Sequence, residues 1–183
     1  MKWTIPGTVL QIRKEAADDV EDLFSSMFLA GGIALSQVSS ITGLEPYTVQ
    51  NWVKRGFLTP PQRKRYTLRQ LCRIININML KSVLPMDQIC GLLGYVNGQL
   101  NNEEDDIIDD SKLYFLFVRL SARLKQMDDP VLLQEALDRA LKDYIEPYPG
   151  ARERIEKALK IMLTAWLAVR MQQTAQAMLE DLS

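Results

Sequence analysis

The chain contains no histidine among its 183 residues. This absence removes both the commonest general base and the commonest metal ligand of enzymes. The sequence also offers no nucleophile beside a base, no phosphate-binding glycine loop and no cluster of metal ligands. We therefore expect a protein that is not an enzyme and that binds no metal or cofactor.

Cysteine is scarce as well, with only Cys72 and Cys90. Neither has a partner at the C-x-x-C spacing of redox and metal motifs, and both fall on the apolar faces of predicted helices. Free cysteine behaves as a small apolar residue in such positions. We expect two buried free thiols rather than a redox or metal site.

Long apolar runs are missing too. The strongest apolar segment, residues 161–171, is interrupted by Thr164 and Arg170 and is shorter than the ~18 residues of a membrane-spanning helix. No apolar segment follows a basic start at the amino end, so we expect no signal peptide. The sequence predicts a cytoplasmic protein without a membrane segment.

Segments that alternate between apolar and polar residues are absent, except near residues 57–66, whereas apolar residues recur at three- and four-residue spacings. This periodicity predicts an essentially all-α fold. The predicted helices cover residues 12–29, 36–42 and 46–55, two further segments that begin after Thr67 and at Pro85, and residues 111–127, 130–145 and 151–182. Ser36, the Thr67-x-x-Gln70 capping box and Asp129 are the expected caps, and Gly31-Gly32, Gly43 and Gly56 the expected stops.

The basic residues are concentrated in one segment. Between Glu45 and Lys81 there are eight lysines and arginines against one acid, a net charge of +7 in a chain whose total is −1. The remainder therefore carries −8. Such segregation is typical of a nucleic-acid-binding module joined to an acidic partner domain.

A cluster of acidic residues marks a predicted boundary between two parts of the chain. Six of the eight residues from Glu103 to Asp110 are acidic, and they lack the D-x-D-x-D-G spacing and turn glycine of a calcium loop. We interpret residues 99–110 as a solvated acidic linker. It separates a DNA-binding part with its preceding helix, residues 1–98, from a helical dimerisation domain, residues 111–183.

The predicted helix 46–55 has two different faces. Val49, Trp52 and Val53 point to one side, whereas four polar residues at spacings of three and four point to the other. These four are Tyr47, Gln50, Asn51 and Lys54. Gln and Asn can bond adenine edges, Lys can approach guanine or the backbone, and Thr48 can position a phosphate at the start of the helix. We predict that this face reads double-stranded DNA.

A small basic hairpin or an extended loop is expected after this helix, since Pro60-Pro61 excludes helix there. We expect its residues and their neighbours to bind the flanking phosphates or the minor groove, with affinity that falls steeply with salt. The predicted contacts are Arg55, Arg63, Lys64, Arg65, Tyr66 and Arg69.

Residues 35–95 resemble the DNA-binding domain of the MerR family. The resemblance is carried by Gly43, Pro46-Tyr47-Thr48-Val49, Trp52, Arg55-Gly56-Phe57-Leu58 and Arg65-Tyr66. It implies a winged helix-turn-helix that binds DNA as a dimer and regulates transcription, in an uncharacterised bacterial branch. The wing is shorter than is usual in that family, and the acidic segment replaces a direct entry into a long coiled coil.

The last helix is apolar around most of its circumference at residues 161–171, where nine of eleven residues are apolar. Such a helix is either central in a bundle or shared between two copies, and we predict a homodimer. Its methionines, Met162, Met171 and Met178, would alternatively line a small-molecule effector pocket. The sequence thus predicts a dimeric, sequence-specific transcriptional regulator. The alternative is an interaction module whose basic face binds an acidic protein.

Overall fold

The computed structural model describes residues 2–102, 104–123 and 129–181, and over these ranges the chain is mostly helical, as predicted. The elements in chain order are β1 (Lys2–Thr4), β2 (Gln11–Arg13), a 3₁₀ helix (Lys14–Asp19), α1 (Val20–Met27), β3 (Ile33–Ala34), α2 (Leu35–Thr42), α3 (Pro46–Lys54), β4 (Arg65–Tyr66), α4 (Leu68–Leu80), α5 (Met86–Asn97), α6 (Asp110–Arg123), α7 (Pro130–Ala140) and α8 (Ala151–Glu180). Strands β1 and β2 form one antiparallel pair, and β3 and β4 form another.

The first predicted helix, residues 12–29, is wrong in its first half. Ile12 lies in β2, opposite Trp3 of β1, and regular α-helix begins only at Val20. The hairpin turns at Gly7, whose φ is 74° and where a Cβ atom would lie 2.7 Å from the carbonyl oxygen of Ile75. A glycine there lets the hairpin pack closely against α4, and this tertiary contact decides the local structure.

The short helices α2 and α3 begin and end close to the residues that the sequence predicts. Gly43 ends α2 in the left-handed conformation with φ of 71°, Pro46 opens α3, and Gly56 follows its end. Ser36 is not the cap of α2. The helix begins one residue earlier, and the backbone N–H of Ala34 donates to Oε1 of Gln37 at 2.9 Å.

Helix α4 lies in the core on most of its faces, and ten of its thirteen residues are buried. The predicted capping box at its start is present, with Gln70 N–H donating to Thr67 Oγ1 at 3.2 Å and Thr67 N–H donating to Gln70 Oε1 at 2.9 Å. Near its end, the Asn78 side-chain amide donates to the carbonyl oxygens of Gly7 and Thr42, each at 3.0 Å. Helix α4 therefore fixes both the amino-terminal hairpin and the end of α2.

Helix α6 packs against α4 and also contacts α1, α7 and α8. Its aromatic residues meet Phe24 of α1, with the Phe24 ring centroid 6.0 Å from that of Tyr114 and 5.9 Å from that of Phe115. The buried Tyr114 hydroxyl donates to the carbonyl oxygen of Pro6 at 2.9 Å. One apolar core therefore includes residues from both sides of the acidic segment, while the predicted domain division itself stays a prediction.

The acidic segment is not a solvated linker along its whole length. Ile107 and Ile108 are buried in the core, and Asp110 is buried at the start of α6. The side-chain amide of buried Asn97 donates to the carbonyl oxygen of Ile108 and holds the segment to the end of α5. Glu103 lies outside the described residues.

The carboxyl-terminal helices begin where the caps predict. The Asp129 side chain accepts the N–H groups of Val131 and Leu132 at 2.9 and 3.2 Å, and α8 starts at Ala151. Helix α7 ends at Ala140, earlier than the predicted residue 145. The expected helical residues 124–127 and Leu182 lie outside the described ranges. In the described ranges, none of the helices combines the length and apolarity needed to span a membrane.

The observed caps make a prediction about stability. Thr67→Ala should lower the free energy of unfolding by about 1 kcal/mol, because the N–H of Gln70 loses its side-chain acceptor. Ser36→Ala, on an exposed residue inside α2, should change it by less than about 0.5 kcal/mol. Urea unfolding of the two variants measures the difference. A larger loss of unfolding free energy for Ser36→Ala than this limit would indicate that Ser36 caps α2.

Candidate functional site

The exposed face of α3 is the first part of the candidate site. Val49 and Trp52 are buried, whereas the side chains of the predicted reading face are exposed, with Tyr47 at 70%. The exposed set is Tyr47, Gln50, Asn51 and Lys54. Buried Val49 and Trp52 fix the rotation of α3, so that a tyrosine, two amides and an ammonium group point to solvent from one rigid helix.

The start of α3 is less suited to a phosphate than the sequence suggested. Thr48 is only half exposed, and its backbone N–H donates to the carbonyl oxygen of Glu45 at 2.9 Å. The exposed carboxylate of Glu45 also precedes this helix end. Thr48 therefore stands at the margin of the candidate site.

A tight basic turn forms the second part of the site. Arg63 and Lys64 have φ angles of 48° and 63°, and the backbone N–H of Arg65 closes the turn by donating to Gln62 at 2.8 Å. Positive φ at two successive residues is the geometry of a type I′ turn, which usually contains Asn and Gly. All three cations of the turn are exposed, and Arg65 also donates through Nη1 to the carbonyl oxygen of Gly32 at 2.9 Å. The predicted hairpin is thus reduced to one turn.

Tyr66 does not belong to this surface. It pairs with Ile33 across β3 and β4, and only 3% of its area is exposed. Burial raises the pKa of its hydroxyl above the usual value. Neighbouring residues of a strand point to opposite sides, so Arg65 faces solvent while Tyr66 enters the core.

Two further basic residues, Arg69 and Arg73, form ion pairs with acids of the same chain. Arg69 Nη2 lies 2.7 Å from Asp106 Oδ2, and Arg73 Nη1 lies 3.3 Å from Asp110 Oδ2. Arg73 is buried, and its Nε donates to the carbonyl oxygen of Phe57 at 3.0 Å. Arg69, predicted as a DNA contact, is therefore held in an ion pair. We call these four residues the buried ion-pair cluster.

Sequence reasoning missed the functional meaning of the two aspartates. The signal was available, because Arg69 and Arg73 are four residues apart on one helix, and Asp106 and Asp110 have the same spacing. Burial raises the pKa of Asp106 to about 6, against the opposing effect of nearby Arg69. Burial also raises the pKa of Asp110, and the nearby cations Arg73 and Arg69 oppose part of this rise.

The remaining cations lie near α3. Arg55 is exposed and its guanidinium lies 4.8 Å from the ring centroid of Phe57. Lys81 Nζ lies 5.9 Å from the ring centroid of Trp52, and partial burial lowers its pKa. Five exposed cations at the end of α3 and in the tight turn, here called the basic rim, are Lys54, Arg55, Arg63, Lys64 and Arg65. This surface can bind a polyanion, but it contains no group arranged for covalent chemistry.

The two cysteines are not part of this exposed surface. Cys72 is buried and Cys90 is half buried, and burial raises the pKa of both thiols. Both are free in the structure, as the sequence predicts. A raised thiol pKa disfavours the reactive thiolate.

The buried ion-pair cluster predicts an unusual dependence of stability on pH. The pKa of Asp106 is about 6 in the folded protein and near 4 in an unfolded chain. The folded state therefore holds an extra proton between these values, and the free energy of unfolding should rise as pH falls from 7 toward about 4. Asp106→Asn should flatten this rise, as measured by urea unfolding at several pH values. Asp22→Asn, on an exposed residue of α1, is the control, and an unchanged slope in Asp106→Asn would contradict the assignment.

Comparison with known proteins gives two matches. Residues 18–117, which run from before α1 to the middle of α6, match a family model described as "Domain of unknown function (DUF1836)". The chain is also similar to the "Uncharacterized protein YkrK" of Bacillus subtilis (strain 168), with 22% identity over 162 residues that cover 82% of this chain and 70% of that protein. No solved structure matches.

These matches overturn the resemblance to the MerR family. The matching family model is a different one, and it extends beyond residues 35–95 on both sides to include α1 and part of α6. The short motifs around Gly43, Pro46 and Gly56 are explained by helix ends, which any two short helices joined by a glycine turn require. The resemblance thus came from residues that begin and end helices, and not from membership of the MerR family.

Proposed function

The chain belongs to the DUF1836 family, a domain of unknown function, and we propose that it is a sequence-specific DNA-binding protein that regulates transcription as a homodimer. The exposed polar face of α3, followed along the chain by the exposed cations of the basic rim, is the observation that carries the proposal. In this assignment α2, the Gly43 turn and α3 act as a helix-turn-helix. The Arg63–Lys64 turn acts as a small wing.

The chemistry of α3 fits the major groove of double-stranded DNA. Amide side chains such as those of Gln50 and Asn51 can form paired hydrogen bonds with an adenine edge, and Lys54 can reach guanine or a phosphate. Val49 and Trp52 are buried beneath this face, so the helix is supported from behind. A helix with one rigid apolar face and one exposed polar face can enter a groove without rearranging the core.

The basic rim fits the phosphates on either side. Five exposed cations, at the end of α3 and in the turn that follows it along the chain, would displace counterions from the duplex, which supplies affinity without sequence preference. Arg69 and Arg73 have no part in this contact, because acids of the same chain already neutralise them. The phosphate-binding charge therefore comes from the rim, and not from α4.

Dimerisation is part of the proposal because one short helix reads few bases. Two copies related by a two-fold axis would read two half-sites, the usual route to specific affinity in this class of contact. Binding to a two-fold-symmetric operator would then regulate transcription by occupancy.

Selection of bound sites from a random DNA pool tests sequence-specific binding. We expect a two-fold-symmetric site to be enriched, and Gln50→Ala and Asn51→Ala each to lose about 1–3 kcal/mol of preference at single base pairs. Fluorescence anisotropy titrations on the selected site and its single-base variants measure this. An unenriched pool, with binding that vanishes at moderate salt, would contradict sequence-specific binding and would support the alternative of an interaction module that binds an acidic protein.

The basic rim predicts a separate effect on salt dependence. Lys64→Asn removes one cation, and asparagine tolerates the left-handed backbone conformation of this turn. Affinity should fall similarly for all DNA sequences, and the slope of log affinity against log salt should shrink by about 1. Lys142→Asn, which removes an exposed cation after α7, is the matched control. Equal slopes for the two variants would exclude the turn from the phosphate contact.

A further inference from the structure

Three segments without acidic residues meet at one cavity. The chain contains 23 aspartates and glutamates, but none of them lies within residues 2–14, 46–86 or 157–179. These ranges include the β1–β2 hairpin, the whole of α4 and most of α8. A cavity of about 470 Å³ is lined by residues of the hairpin, of the end of α4 and of α8. Small-molecule sites have volumes of about 300–1,000 Å³, so the cavity has the size of such a site.

The charged residues that line the cavity are all basic. They are Lys2 of β1, Lys81 just after α4 and Arg170 of α8. Within the part of the chain that the structure describes, none of the three forms an ion pair and no acid lines the cavity. A cavity whose walls carry charge of one sign attracts and concentrates ions of the other sign. The cavity is therefore suited to an anion.

Arg170 is held at the wall of the cavity by an aromatic ring. Its guanidinium carbon lies 5.0 Å from the ring centroid of buried Trp166, which also lines the cavity. None of the described residues offers this guanidinium a hydrogen-bond acceptor, although the Arg170 carbonyl oxygen accepts from Thr174 Oγ1 at 2.9 Å. The rigid fork of N–H groups in arginine matches the oxygens of a carboxylate or a phosphate. Arg170 therefore has free donors of the right geometry for an anionic group.

Lys81 carries a charge that its own surroundings disfavour. Partial desolvation lowers the pKa of its ammonium group, and no carboxylate of the described residues pairs with it. An anion close to a lysine stabilises the charged form. A bound anion would therefore supply the partner that Lys81 lacks within its own chain.

The other walls of the cavity are largely apolar. They include half-buried Trp3 and Val169, together with buried Ile5, Pro6 and Trp166. A ligand that fills the cavity would thus combine a charged end with an apolar or aromatic body. The three methionines that the sequence suggested for an effector pocket, Met162, Met171 and Met178, do not line this cavity.

We propose that this cavity binds a small organic anion with more than one negative charge on an apolar or aromatic body, such as a phosphate monoester. Arg170 and Lys81 bind the anionic group, and Lys2 adds positive charge from the hairpin. Trp3 and Trp166 contact the body of the ligand. A phosphate monoester carries about 1.5 to 2 negative charges at neutral pH, which three unpaired cations match better than they match a single carboxylate.

The cavity adjoins residues that support α2 and α3. Asn78 lines it, and the Asn78 amide donates to the carbonyl oxygens of Gly7 and Thr42, each at 3.0 Å. The Lys81 Nζ atom lies 5.9 Å from the ring centroid of Trp52, on the buried side of α3. The inference goes beyond the proposed DNA contact. It is tested without DNA, so its failure would leave the exposed face of α3 untouched.

Calorimetric titration with three simple probes tests the class of ligand. The probes are phenyl phosphate, inorganic phosphate and benzoate, each added to the full chain at low salt and neutral pH. Phenyl phosphate should bind saturably and most tightly, because inorganic phosphate lacks the ring and benzoate has only one charge. The absence of saturable binding of phenyl phosphate would overturn the proposal. Binding no tighter than that of inorganic phosphate would also overturn it, since the apolar walls would then take no part.

Variants that each remove one charge test the location of the bound anion. Arg170→Gln and Lys81→Gln should each raise the dissociation constant of phenyl phosphate by about tenfold or more, because hydrogen bonds to charged groups are among the stronger ones. Arg139→Gln is the matched control for Arg170→Gln, since Arg139 is an exposed arginine of α7 that does not line the cavity. Equal dissociation constants for these two arginine variants would overturn the site. Weaker binding in Arg55→Gln alone would place the anion on the basic rim and would overturn it too.

The tryptophans provide a second measure of location that does not depend on charge. The chain has three of them, and Trp3 and Trp166 line the cavity. In nuclear magnetic resonance spectra of the ¹⁵N-labelled chain, the indole N–H signals of Trp3 and Trp166 should shift as phenyl phosphate is added. Their shifts should saturate with the calorimetric dissociation constant. Signals of Trp3 and Trp166 that stay unchanged at saturation would overturn the proposal.

Discussion

The ion pair between Arg73 and Asp110 joins the segments on which the candidate site depends. Arg73 lies on α4, Asp110 opens α6, and the Arg73 guanidinium also donates to the carbonyl oxygen of Phe57, just after α3. A buried charge without its partner would cost several kcal/mol. The acidic segment is therefore bound into the fold by this charge balance. It fixes the exit of α3 relative to the helices beneath it.

The same pairing determines which basic residues are available to a ligand. The sequence places eight lysines and arginines near α3, but Asp106 and Asp110 neutralise the two that point toward α6. What remains exposed is the basic rim, at the end of α3 and in the tight turn, together with Lys81. The acidic segment thus reduces the number of cations that this part of the chain offers to a ligand.

Helix ends were predictable because their signals are local. Gly43, Pro46, Gly56, Thr67 and Asp129 act on their immediate neighbours, and the helices begin or end at or beside them. The amino-terminal hairpin was missed because Ile12 pairs with Trp3, a contact that helical spacing cannot reveal. A periodic apolar pattern describes a buried face, but the partner of that face decides whether the chain is helix or strand.

In the candidate site, too, local signals predicted some features, whereas distant contacts decided the others. Exposure of Tyr47, Gln50, Asn51 and Lys54 followed from helical spacing alone, since buried Val49 and Trp52 fix the rotation of α3. The positions of Tyr66 and Arg69 did not follow, because they depend on strand pairing with Ile33 and on acids about 40 residues away. Counting charges along the sequence therefore overestimated the basic surface.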